Sequence, residues 1–174
     1  MARNIEIKAR IDSVEALLPR ARALADGEPA LIEQDDTFFA VAHGRLKLRR
    51  SCDGTAELIH YLRPDQGAAK ASDYVRVPVA QPDALAQALE RACGTLGRVR
   101  KRRLLLLAGP TRMHLDRVDG LGDFMELEVA LRDGQADAEG AAQAESLMHA
   151  LGLADAPRIA GAYLDLLGVP SVRN

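Results

Sequence analysis

Charged residues recur at every second position in several segments, with aliphatic residues between them. Glu6 and Lys8 alternate with Ile5 and Ile7, and Arg45, Lys47 and Arg49 alternate with Leu46 and Leu48. Lys101 and Arg103 stand two apart, Arg112, His114 and Asp116 flank Met113 and Leu115, and Glu126 and Glu128 flank Leu127. Residues two apart on an extended chain share a face, so each segment reads as a strand with one charged and one apolar side. Two chemistries meet on the charged side. Arg and Lys can neutralise phosphate oxygens, and Glu6, Asp116, Glu126 and Glu128 offer the hard oxygen ligands that suit Mg2+ or Mn2+. The simplest account is an antiparallel sheet with its charged face in water and its charges in cross-strand pairs. The alternative is a closed sheet, in which the same charges lie inside and need partners or bound ions. A polyanion held together with a divalent metal would satisfy them.

The elements that must position these residues follow from the pattern. Alternation over Asn4 to Ile11 predicts a strand, and Asp12 with Glu15 predicts the start of a helix that Asp26-Gly27 ends, with Pro19 bending it. Further strands are expected over Leu31 to Ala42, Arg45 to Ser51, Glu57 to Arg63 and Tyr74 to Val79, linked by the turns at Ala42-His43-Gly44 and Cys52-Asp53-Gly54. A helix over Pro82 to Cys93 precedes three strands, Leu96 to Ala108, Thr111 to Val118 and Phe124 to Leu131, and helices at Ala138 to Leu151 and from Ile159 close the chain. About eight strands and three or four helices make an α+β fold, and eight strongly twisted strands tend to curl or close.

Composition narrows the class. A chain of 174 residues reads as a single domain, residues 1–174, and 48% hydrophobic with 28% charged residues excludes a wholly disordered or collagenous chain. The two cysteines, Cys52 and Cys93, have no zinc-ligand spacing. The N-terminus has no apolar signal core and the longest aliphatic stretch, Leu104 to Ala108, cannot span a bilayer, so a cytoplasmic protein without membrane partners is expected. Six aromatic residues are too few for the stacking platforms of single-strand nucleic-acid binding. The basic run Arg98 to Arg103 is split by alternation: Lys101 and Arg103 belong with the charged set, whereas Arg98, Arg100 and Arg102 face solvent. Asp35 and Asp36 are read as rim or turn-proximal residues, and His114 as a local hydrogen-bonding partner more than a catalyst. Phe38, Phe39, Tyr61 and Tyr74 are core residues, or one of them stacks on a base at the mouth of the cavity. No GxSxG or glycine-rich phosphate loop is present, which excludes a nucleophile-elbow hydrolase and a P-loop enzyme.

Five motifs, taken in order, resemble one family. Asn4-Ile5-Glu6-Ile7-Lys8 resembles the ExExK opening strand of the CYTH superfamily, the triphosphate tunnel metalloenzymes. Gln34 to Phe39, Arg45-Leu46-Lys47-Leu48-Arg49, Val99 to Arg103 and His114-Leu115-Asp116 with Gly120 to Glu128 follow in the family's order. The last segment and the closing Ala162 to Leu167 resemble the class IV adenylyl cyclase branch. The resemblance implies an eight-stranded antiparallel β-barrel with flanking helices, in which Lys8, Lys47, Arg49, Lys101 and Arg103 grip a triphosphate. It places Arg63 and Arg76 as additional phosphate contacts, and Glu6, Asp116, Glu126 and Glu128 on Mg2+ or Mn2+. Glu6, Lys8, Asp116 and Glu126 become the expected catalytic set. Asn4 departs from the motif, where the first Glu is expected, and bears on the number of metal ions. The implied activity is conversion of ATP to cyclic AMP and pyrophosphate. The alternatives are hydrolysis of inorganic triphosphate, a nucleoside triphosphate or thiamine triphosphate, and a non-catalytic phosphate-ligand sensor. The expected partner is a small triphosphate-bearing molecule, bound by a monomer or homodimer, with no nucleic acid and no membrane.

Overall fold

A computed structural model of the protein describes residues 4–62, 70–71 and 73–168. The strands are β1 (Asn4–Arg10), β2 (Ala30–Phe39), β3 (Arg45–Ser51), β4 (Ala56–Leu62), β5 (Lys70–Ala71), β6 (Asp73–Pro78), β7 (Thr95–Ala108), β8 (Thr111–Val118) and β9 (Gly122–Ala130). Four helices accompany them: α1 (Val14–Leu24), α2 (Pro82–Cys93), α3 (Asp137–Ala150) and α4 (Tyr163–Leu166). All strand pairings are antiparallel, in the spatial order β5-β1-β9-β8-β7-β2-β3-β4-β6. The two ends of that order, β5 and β6, are separated in the chain by residue 72 alone. Because β5 pairs with β1 and β6 with β4, the sheet curls back on itself through one stretch of chain. Counting that stretch once gives the eight strands read from the sequence.

Closure turns one face of every strand inward, and the alternation decides which. The outward apolar residues of β1, β8 and β9, among them Ile5, Ile7, Met113, Leu115, Met125, Leu127 and Val129, are buried beneath Val14, Leu17 and Ala21 of α1 and Ala144 and Met148 of α3. Gly140 allows α3 to lie close to the sheet, since an added Cβ would come within 2.9 Å of Ile5 Cγ1. A second cluster fills one end of the interior: Phe38, Val99, Val118 and Phe124 from four strands meet Tyr163 and Leu164 of α4.

Local details differ from expectation in instructive ways. The α1 N-cap is Ser13, not Asp12: its Oγ accepts from the Ala16 amide, and the helix begins one residue later than Asp12 would allow. Asp123 instead accepts from the Val14 amide, so the first turn is tied to β9 across the fold. The basic run on β7 divides as alternation requires, with Arg98 and Arg100 paired outward to Asp35 and Arg102 to Glu33. No helix among the described residues is long and apolar enough to cross a membrane.

Candidate active site

The inward faces enclose a cavity of about 380 Å³. Its lining includes Lys8 from β1, Lys47 and Arg49 from β3, Arg76 from β6, Lys101 and Arg103 from β7 and Arg112 from β8. Carboxylates reach it from Glu6, Asp36, Glu57, Glu126 and Glu128. β1 and β9 bring Glu6, Glu126 and Glu128 together beside Lys8, whereas β7 and β3 supply most of the cations, with Asp36 among them. Register explains the acidic side, because Glu6 stands directly opposite Glu128, and Lys8 opposite Glu126.

Two buried carboxylates organise the cations. Asp36 accepts two hydrogen bonds from Arg49, at 2.7 and 2.8 Å, and a third from Lys47 at 2.8 Å. Burial alone would raise the Asp36 pKa, but Lys47 and Arg49 outweigh it and hold the carboxyl well below its ordinary range. Asp36 is therefore an interior brace and not the rim residue that its position near a turn suggested. Asp116 is the counterpart: Arg103 donates to it twice at 2.6 Å, and the Tyr163 hydroxyl donates at 2.8 Å. Arg103 also reaches Glu126 at 2.8 Å. Again burial pushes upward, and Arg103 and Lys101 overcome it to bring Asp116 to about 2.

The lysines show the opposite balance. Burial, followed by repulsion from Arg103, lowers Lys101 to about 7, and burial with Arg49 lowers Lys47 to about 8. An ammonium that is costly to charge in the free protein gains most from an arriving polyanion. The Tyr163 ring lies beneath Lys8 and Lys101, its centroid 4.2 Å from Lys8 Nζ and 5.3 Å from Lys101 Nζ. Arg45 of β3 holds Asp165 of α4 at 2.7 Å, so the helix that closes this end is fastened from two sides.

The structure brings together ten of the eleven residues predicted for the site. Glu6, Lys8, Lys47, Arg49, Arg76, Lys101, Arg103, Glu126 and Glu128 line the cavity, and Asp116 lies beneath it. Arg63 lies outside the described residues. Asp116, expected among the metal-binding carboxylates, is fully buried with both oxygens taken by Arg103 and Tyr163, and it is absent from the cavity lining. A metal-capable group forms elsewhere, where His114, Glu126 and Glu128 each offer a donor atom within 4.8 Å of the others. His114 is buried and its Nδ1 has no hydrogen-bond partner, while burial, reinforced by Arg103, lowers its pKa to about 4. A neutral imidazole nitrogen without a partner, beside two carboxylates, fits a divalent cation. Sequence reading also missed the supporting roles of Asp36 and Tyr163. Asp36 did carry a signal, since alternation puts it on the same face as Gln34 and Phe38, but Tyr163 reaches the site only through the docking of α4.

Comparison with known proteins agrees with this architecture. The PH1012 protein of Pyrococcus horikoshii superposes with a TM-score of 0.84 at 22% identity, covering 94% of this chain and 98% of its own. A Vibrio parahaemolyticus protein proposed to be an adenylate cyclase gives 0.75 at 20% identity, covering 95% and 97%. HpAC1 of Hippeastrum, proposed as an adenylyl cyclase and found to have a dominant triphosphatase activity, gives 0.69 at 15% identity, covering 98% and 97%. No curated protein sequence matches. The CYTH domain profile matches residues 2–163, which is nearly the whole chain and includes every strand of the barrel, and the chain belongs to the CYTH domain family.

Proposed function

We propose that this protein is a divalent-metal-dependent enzyme acting on a triphosphate substrate, and that its reaction is a class IV adenylyl cyclase-like conversion of ATP to cyclic AMP and pyrophosphate. The observation that carries the triphosphate reading is that Lys8, Lys47, Arg49, Lys101 and Arg103 line one cavity together with Glu6, Glu126 and Glu128. A nucleotide is favoured over inorganic triphosphate by the rest of the lining. Ile32, Ile59, Leu105, Tyr61 and Tyr74 add apolar and aromatic surface among the cations, and all three tyrosines of this aromatic-poor chain line the cavity.

Glu126 and Glu128, with Glu6 across the strand pair, would hold the divalent ion. When bound, such an ion neutralises phosphate oxygens and polarises the phosphorus centre. The residues of the chain do the remainder. Lys101 and Arg103 stabilise charge as it accumulates on the departing pyrophosphate. Asp36 and Asp116 fix the planes of Arg49 and Arg103 before the substrate arrives, so little reorganisation is left for the reaction itself.

The second reading is a triphosphatase, in which the same cradle presents the terminal phosphorus to water. It is supported by the Hippeastrum protein, whose fold is similar and whose dominant activity is of that kind. The deciding experiment is incubation with ATP, inorganic triphosphate or thiamine triphosphate, each with Mg2+ and with Mn2+, followed by product separation. Cyclic AMP with pyrophosphate is the expected result. Orthophosphate release without cyclic AMP would transfer the assignment to the triphosphatase, and tight binding without turnover would leave a phosphate-ligand sensor.

A further inference from the structure

The strongest unexplained feature of the cavity is the imidazole of His114. It is 4% exposed, and its Nδ1 lacks a hydrogen-bond partner. Glu128 Oε1 lies 3.8 Å from it, beyond hydrogen-bond range. A buried polar nitrogen left without a partner is costly unless something absent from the protein itself satisfies it. The neighbouring carboxylates show what that is. Glu128 accepts from Arg112 through Oε2 at 2.9 Å, leaving Oε1 on the His114 side, and Glu126 accepts from Arg103 through Oε2 at 2.8 Å, with Oε1 in a looser 3.4 Å ion pair with Lys8. Donor atoms from His114, Glu126 and Glu128 lie within 4.8 Å of one another, and neighbouring ligands of a shared ion are about 3–4 Å apart when each is about 2.1 Å from it.

We propose that His114 supplies a nitrogen ligand, through Nδ1, to the divalent ion held by Glu126 and Glu128, and that this mixed donor set selects Mn2+ or another transition metal over Mg2+. The proposal rests on the metal-dependent reading of the site given above. Its basis is ligand chemistry: imidazole nitrogen adds affinity for transition metals, whereas Mg2+ prefers an all-oxygen octahedron and keeps its waters. His114 and Glu128 are held by β8 and β9, whose outer faces are packed against α1 and α3, so the donors are positioned before the ion arrives.

The test uses the full chain with Mn2+ alone. Pulsed electron paramagnetic resonance of the bound ion is expected to show nitrogen modulation in the wild-type protein, and 15N-labelling of histidine is expected to shift its frequency. In His114→Ala the nitrogen signal is expected to vanish, with Mn2+ affinity falling by about tenfold to 100-fold or more. Mg2+ affinity, read by competition, should fall much less. His114→Asp should reverse the preference by restoring an all-oxygen set. If wild-type protein binds Mn2+ without a histidine nitrogen signal, or if His114→Ala weakens both ions equally, the ligand assignment is overturned and the metal-dependent reading stands. If wild-type protein binds neither ion, that reading falls together with the proposal. The labelled wild-type measurement decides the question even where the alanine variant does not fold.

Discussion

The two sides of the barrel are built differently. Behind β1, β8 and β9 lies the main core, and the outward residues Met113, Leu115, Met125, Leu127 and Val129 have no exposed surface. Behind β4 and β6 the outward residues face solvent: Leu62 is 46% exposed, Val75 60% and Val77 49%. The first side carries His114, Glu126 and Glu128, while the second carries Tyr61, Tyr74 and Arg76. Metal ligands tolerate little displacement, and side chains hold position best on strands packed on both faces. Under the proposed function, the β4–β6 wall would meet the part of the substrate that needs no such support. The fold thus spends its core where geometry must be fixed and leaves the other wall thin.

Four experiments would break or sharpen this contrast. The largest effect is expected on chemistry at the supported wall: Glu126→Gln should reduce metal-dependent turnover by about a thousandfold or more while circular dichroism stays native. Full activity would remove Glu126 from the metal site. Next, Arg103→Ala leaves buried Asp116 with only the Tyr163 hydroxyl and Lys101 at 3.8 Å, and should cost about 3–5 kcal/mol in denaturant unfolding. The loss should be partly recovered by the double variant Arg103→Ala, Asp116→Asn. No recovery would show that Arg103 matters for packing more than for pairing.

The contrast between the walls is tested most directly by a pair of truncations. Leu127→Ala should cost about 2–5 kcal/mol and Val77→Ala no more than about 0.5 kcal/mol. Equal costs would refute the view that the β4–β6 wall is thinly supported. The smallest effect is a titration of the cation set. In the free protein Lys101 and Lys47 are lowered to about 7 and 8, so both lose their protons across pH 7 to 9. A bound polyanion restores their ordinary affinity for protons. Once the ligand's own ionisation is subtracted, binding of inorganic triphosphate without metal should therefore take up protons, and its affinity should weaken by about tenfold or more from pH 7 to pH 9. Isothermal calorimetry in buffers of different ionisation enthalpy measures both. Proton release, or an affinity that does not change, would contradict the sign of these shifts.

Much of this contrast was legible in the primary structure. Every strand of three residues or more was anticipated within a few residues, because hydrophobic alternation reports directly on which face is buried. The same alternation separated Lys101 and Arg103 from Arg98, Arg100 and Arg102, and the structure keeps that division. It also placed Asp116 and His114 on one face with Arg112. What it could not give was their neighbours. Register sets Arg103 directly opposite Asp116 and His114 opposite Glu126, so one acidic residue becomes a brace for an arginine while a histidine joins the carboxylates.

The amino-acid sequence by itself determined the faces: which side chains point into the barrel, how much charge of each sign they bring, and that an antiparallel sheet must carry them. Only the tertiary structure decided depth and partnership. Alternation has a period of two and no information about the adjacent strand. Closure through β5 and β6, the register of β7, β8 and β9, and the docking of Tyr163 onto Asp116 all depend on contacts between residues far apart in the chain. Those contacts make an interior brace of Asp36 and Asp116, and leave the nitrogen of His114 facing two carboxylates.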